Sequence, residues 1–76
     1  MNHFGIDVLT KDKRKLMTRL RGLVSTVSVA DGGEYREDRN YSQVWLTTNK
    51  TEAQLDAWLY KTKGIEYVGI FKRGEE

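Results

Sequence analysis

The apolar residues of this chain switch repeatedly between a period of two and a period near 3.6, and that succession constrains its fold more tightly than any other property. His3 to Leu9 alternates, with Phe4, Ile6 and Val8 on one side and His3, Gly5 and Asp7 on the other, as a half-buried strand does. Thr10 reads as the N-cap of a helix over Lys11 to Arg21, in which Leu16, Met17 and Leu20 recur at helical spacing, continued by Leu23, and Gly22 marks the stop. Val24, Thr26, Val27 and Val29 predict a strand over Val24 to Ala30. Asp31-Gly32-Gly33 then supplies residues able to take positive φ and predicts a hairpin turn.

Glu34-Tyr35-Arg36 can continue the ladder, Glu37-Asp38-Arg39-Asn40 reads as a charged loop or bulge, and Tyr41 to Thr47 is the return strand. Thr51-Glu52-Ala53-Gln54 is a capping box, followed by the stripe Leu55, Trp58, Leu59 and Thr62, with Gly64 closing the helix. Ile65 to Lys72 predicts the last strand, Val68 and Ile70 facing one way and Tyr67, Gly69 and Phe71 the other. Arg73 to Glu76 is expected to fray.

The order β-α-β-β-α-β is that of a ferredoxin-like α+β domain, a four-stranded antiparallel sheet of order 4-1-3-2 with both helices on one face. The competing arrangement makes an extra hairpin from Asp31 to Asn40 and gives five strands. A chain of 76 residues is one domain, 1–76, whose folding removes only roughly 60–65% of the surface of the unfolded chain. Two helices and one sheet supply few walls for a substrate cleft, so a binding module is expected in preference to an enzyme. The absence of cysteine excludes disulfides and thiolate metal sites. MNHFGIDVLT lacks the pattern of a leader, and no apolar run approaches a membrane span; a cytoplasmic protein without membrane contact is expected.

If Phe4, Ile6, Val8, Val44, Leu46, Val68 and Ile70 pack under the helices, Tyr41, Trp45, Tyr67 and Phe71 point to the uncovered face. Four rings of roughly 150–250 Å² each would exceed the contiguous apolar patch that monomers tolerate, so a partner is expected there, unless the hairpin or the tail folds over them. Arg36 and Arg39 would sit at its rim, on a charged hairpin projecting from the sheet edge. Single-stranded nucleic acid stacks on such faces. Arg39, Tyr41 and Val44 fit the strand-three signature of an RNA-recognition motif, but Asn40 replaces its glycine and Gln43 its central stacking ring.

The first helix is the second candidate surface. Lys11, Lys13, Arg14, Lys15, Arg19 and Arg21 are opposed only by Asp12, and the chain's net charge of +2 is concentrated in its N-terminal part. This basic face suits phosphates or an acidic protein surface, or simply keeps the domain soluble. It would lie opposite the aromatics, which favours a protein partner over nucleic acid. The catalytic inventory is poor: His3 and Asp7 share a strand face, with Tyr67 nearby, but no activated nucleophile or paired carboxylate accompanies them. No phosphate-loop spacing is present, and neither cofactor nor metal is expected. Trp58 is expected to pack at the core, with Tyr60 turned away from it.

The segment TEAQLDAWLYKTKGIEYVGIF, Thr51 to Phe71, resembles the capped helix and aromatic-rich strand of very small bacteriophage accessory proteins, among them host-takeover inhibitors and anti-CRISPR proteins. The resemblance covers under a third of the chain and carries over no functional residue. It implies a non-enzymatic, phage-encoded protein that binds and blocks a host protein of nucleic-acid metabolism or defence in the bacterial cytoplasm. The expectation is thus of a protein-binding inhibitor working through Trp45, Tyr67 and Phe71, with Arg36 and Arg39 beside them. A single-stranded nucleic-acid binder and a domain that homodimerises through its sheet face are the alternatives.

Overall fold

The computed structural model describes residues 1–62, 64, 65 and 67–75, with Tyr67, Gly74 and Glu75 described in their backbone alone. In it the chain is an α+β domain of four antiparallel strands and two helices: β1 (Asn2–Leu9), α1 (Lys13–Arg21), β2 (Thr26–Glu34), β3 (Tyr41–Thr48), α2 (Glu52–Lys61) and β4 (Tyr67–Glu75). The sheet order is β2-β3-β1-β4. Strand β1 therefore lies between two neighbours, with Ile6 opposite Val44 on one side and Ile70 on the other.

Period two does what it predicts on β1 and β3. Phe4, Ile6, Val8, Val44 and Leu46 are fully buried, and they meet Leu16 and Leu20 of α1 and Leu55 and Leu59 of α2. Met17, Leu23, Val29, Trp58, Ile65 and Ile70 flank this layer. Ser42 and Thr48 occupy the same side of β3 at its ends, and both are satisfied: Ser42 Oγ shares a 2.8 Å hydrogen bond with Thr10 Oγ1, and Thr48 Oγ1 donates to the Ser25 carbonyl. Helix α2 begins at the expected capping box, the Gln54 amide donating to Thr51 Oγ1 and the Thr51 amide to Gln54 Oε1.

Several local expectations are corrected. Thr10 caps no helix; it opens a 3₁₀ turn, Thr10–Asp12, that precedes α1, and its hydroxyl donates instead to the Arg39 carbonyl at 2.6 Å. Asp31-Gly32-Gly33 is not the hairpin turn. It lies inside β2, where the register shifts between Asp31 and Gly33, and Gly33 takes φ +88° as a bulge. The turn is the segment 35–40, so the expected projecting finger from Asp31 is shorter, and no fifth strand occurs among the described residues. That segment is tied down, Thr10 donating from its amide to Asn40 O at 2.7 Å and Asn40 from its own to Asp38 Oδ1 at 3.0 Å. Arg73 to Glu75 do not fray, because β4 runs on to Glu75 and pairs it with Asn2; Glu76 lies outside the described residues. Val68 is not a core residue: the register shifts opposite Asp7 and Val8, and Val68 stands 53% exposed.

The bulge also sets an electrostatic tie. Asp31 accepts from the Gly33 amide at 2.8 Å and pairs with Lys13 of α1 at 3.0 Å, joining helix to edge strand. The Gly33 hydrogen bond first, and Lys13 after it, hold the Asp31 carboxyl below its ordinary value. A depressed carboxyl stabilises the fold above the unfolded value near pH 4, and that contribution disappears as pH falls through the folded value. Asp31→Asn keeps an acceptor for Gly33 but loses the charge. The unfolding free energy from urea titration is expected to fall by no more than about 1 kcal/mol at pH 7, as for an exposed pair. The difference from the wild type should shrink as pH falls below about 4, through the lowered folded value of Asp31.

Candidate functional site: the open face of the sheet

The face of the sheet opposite the helices carries His3, Gly5 and Asp7 from β1, the outward residues of β3, and Phe71 and Arg73 from β4. Its rings are fixed in place. Glycine at position 5 lets Phe71 lie across the central strand: a Cβ there would come within 2.3 Å of the Phe71 ring tip. Gly32 does the same for Trp45, whose Nε1 would stand 2.6 Å from a Cβ at that position. Each ring nonetheless remains 36% exposed. The guanidinium of Arg73 stacks on the indole, 3.8 Å from its centroid, as a cation–π contact.

A line of hydrogen bonds runs across the face from the indole. Trp45 Nε1 donates to Gln43 Oε1 at 3.0 Å, Gln43 Nε2 donates to the Tyr35 hydroxyl at 2.7 Å, and that hydroxyl donates to Asp7 Oδ1. Tyr35 follows the end of β2, and its amide bond to the Tyr41 carbonyl, 3.0 Å, positions its phenol to reach over β3 to the central strand. Burial, followed by the hydrogen bond to Asp7, pushes the Tyr35 phenol above its ordinary value, so it stays a donor across the neutral range.

Of the aromatics expected here, Trp45 and Phe71 are brought together on the face, and Tyr41 is half-buried at its end. The Tyr67 side chain lies outside the described residues; its backbone pairs with Val8 rather than keeping the expected alternation with Phe71. Arg36 and Arg39 are exposed in the segment 35–40, as rim residues would be. Tyr35 and Arg73 are the residues that sequence reasoning missed. The first reads there as an extension of a ladder and the second as part of a frayed tail, and only the assembled sheet, which brings Tyr35 to Asp7 of β1 and Arg73 to Trp45 of β3, reveals either.

The basic residues of α1 do not form one continuous surface. Arg14 and Arg21 line a groove against β2 with Lys13, Met17, Thr18 and Asp31, whereas Lys15 Nζ donates to the Gly64 carbonyl at 3.2 Å and Arg19 also faces that loop. Lys11 stands apart, beside Thr10 and Asn40. His3 and Asp7 do not act together: His3 Nδ1 bonds Thr47 Oγ1 at 3.0 Å, Asp7 holds Tyr35, and the Phe71 ring lies over Gly5 between them. Among the described residues no three His, Cys, Asp or Glu side chains cluster as metal ligands, and no helix is long and apolar enough to cross a membrane. Trp58 packs against the core while Tyr60 is 87% exposed.

Comparison with family models, with curated proteins and with solved structures finds no match for this chain. What the open face can do therefore rests on its own chemistry: rigid, half-exposed rings beside a polar line that ends in a carboxylate.

Tyr35→Phe removes the hydroxyl that joins Gln43 to Asp7. Leaving these partly buried groups unpaired is expected to cost about 1–3 kcal/mol at pH 7. A raised phenol pKa stabilises the fold below the unfolded value near pH 10, and this benefit fades as pH rises through the folded value. Urea unfolding of both proteins from pH 8 to 11 should therefore show the gap narrowing above about pH 10.

Proposed function

We propose that this chain is a small non-enzymatic binding protein, ferredoxin-like in fold, that engages a partner protein through the open face of its sheet. The ferredoxin-like reading is supported by the β2-β3-β1-β4 order and by the two helices that follow β1 and β3. The observation that carries the interface is that Trp45 and Phe71 lie packed against Gly32 and Gly5 yet are left 36% exposed on a face without helices. An anchor already fixed in its bound orientation loses little rotamer freedom on docking, and aromatic anchors of this kind dominate interface energetics.

Two features favour protein over single-stranded nucleic acid. The Arg73 guanidinium already occupies a face of the Trp45 indole on which a base would stack. Asp7 places a carboxylate on the central strand, where a phosphate chain would pass, while the cations of α1 lie on the far side of the sheet. The proposal that the partner is a host protein of nucleic-acid metabolism or defence, and that the chain is phage-encoded and acts in the bacterial cytoplasm, rests on the resemblance of Thr51 to Phe71 to small phage accessory proteins.

Affinity capture from a nuclease-treated bacterial lysate tests this reading. A stoichiometric protein should be retained by the wild type and lost with Trp45→Ala/Phe71→Ala, provided circular dichroism shows the variant folded. The captured partner's affinity should fall about 30-fold or more in that variant. Capture that persists in the variant places the interface elsewhere. Capture that disappears on nuclease treatment assigns the face to nucleic acid. Dimerisation of the wild type alone in sedimentation, abolished by the same variant, would instead make it a self-association surface.

A further inference from the structure

At one end of the open face the polar line closes in a concavity of about 260 Å³ lined by Asp7, Tyr35, Glu37, Asp38, Tyr41 and Val68. We infer that this concavity receives one basic side chain, a lysine or arginine, of the partner protein. The inference rests on the reading of the open face as a protein interface and specifies the partner's chemistry there.

Size argues first. The volume falls below the roughly 300–1,000 Å³ of small-molecule and cofactor sites, and it suits a single side chain. Charge argues next: three carboxylates border the space and, among the described residues, no lysine or arginine does, although Arg36 and Arg39 belong to the same segment as Glu37 and Asp38. Among the described residues the acids are not spent on one another or on cations. Asp7 gives Oδ1 to Tyr35, and its Oδ2 makes no hydrogen bond among the described residues. That oxygen is left open because β4 places Gly69 opposite Asp7, where even an added Cβ would stay 3.9 Å away.

The walls complete the complementarity. Two tyrosine rings and Val68 offer surface for the methylene stem of a long cation and ring faces for its head, while the Asp7 oxygen offers a charge-assisted acceptor. Val68 is present only because the bulge opposite Asp7 and Val8 turns it out of the core. An acidic side chain would meet three like charges here, and a neutral apolar one would desolvate the carboxylates without repaying them. The basic composition of the chain predicts an acidic partner for α1; at the open face the chemistry is reversed.

Amide NMR titration of the whole chain with the capped tripeptides acetyl-Gly-Lys-Gly-amide and acetyl-Gly-Arg-Gly-amide tests the inference, with the norleucine tripeptide as neutral control. The basic peptides should give saturable shifts centred on Asp7, Tyr35, Tyr41 and Val68, at least five-fold tighter than norleucine. Glu37→Gln/Asp38→Asn, two exposed changes that keep the Asp38 acceptor for the Asn40 amide, should weaken them by a similar factor. Equal response to norleucine, or shifts confined to other residues, overturns the inference. Because this titration needs no partner, its failure is separable from that of the interface: a captured protein lost with Trp45→Ala/Phe71→Ala while the concavity ignores basic peptides leaves the face and removes only the cation.

Discussion

Burial of Phe4, Ile6 and Val8 beneath the two helices fixes everything else in this domain, because these side chains belong to the strand that both β3 and β4 pair with. Side chains alternate along a strand, so a slip of one residue in β1 would exchange this apolar set for His3, Gly5 and Asp7. The core thus specifies the outer face as strictly as the inner one. With Leu16, Leu20, Leu55 and Leu59 locking the register from above, Gly5 and Asp7 must face away from the helices, and the features of the candidate site are positioned by them. Gly5 is where Phe71 can lie flat, and Asp7 is where the hydrogen-bonded line from Trp45 ends.

Much of this was legible in the residues because period two and period 3.6 report burial directly. The inward residues of β1 and β3, the stripe Leu55, Leu59, the capping box at Thr51 and the outward placement of Trp45 and Phe71 all follow from pattern. What pattern misplaces are the points where the alternation is interrupted. Gly32-Gly33 carries the chemistry of a turn, yet the same freedom at positive φ serves a bulge, and only the pairing of Asp31 with Val44 and Gly33 with Gln43 distinguishes the two. Val68 carries the chemistry of a core strand, and a shift opposite Val8 turns it outward. Thr10 has the side chain of a helix cap and uses it across the fold, on Arg39 and Ser42, where no local signal could place it. Tyr35 and Arg73 likewise act through partners distant in the chain, Asp7 and Trp45, so their roles are properties of the sheet and not of their own segments.

Three departures from the expected pattern build the open face. The bulge at Gly32 makes room for the edge of the indole, the shift beside Asp7 brings Val68 into the concavity, and the continuation of β4 past Lys72 supplies the Arg73 that stacks on Trp45. Bulges are favoured where a strand must re-aim a side chain. A small domain with a thin core has little stability to spend, so holding polar and aromatic groups rigid on an uncovered face is a costly arrangement for a surface with no task. The polar line reduces that cost, since each of its donors is satisfied within the face: the indole by Gln43, the Gln43 amide by Tyr35, the phenol by Asp7.

Charge then separates the two sides of the molecule. The helix face presents the cations of α1, and the end of the open face presents Asp7, Glu37 and Asp38. If the open face is the proposed protein interface, a basic surface would be drawn to the concavity and an acidic one to the helices. Screening over roughly 8–10 Å at physiological salt confines this sorting to the last steps of approach, where it sets orientation more than affinity. On that reading affinity would come from Trp45 and Phe71, which lie against Gly32 and Gly5. A nucleic acid meets the opposite division. Its phosphates would be attracted to α1, where these rings are not, whereas at the open face the carboxylates of Asp7, Glu37 and Asp38 offset the cations of Arg73, Arg36 and Arg39. On the proposed reading, a carboxylate-lined concavity beside Trp45 and Phe71 would favour a protein with a basic residue next to an apolar patch over a single strand.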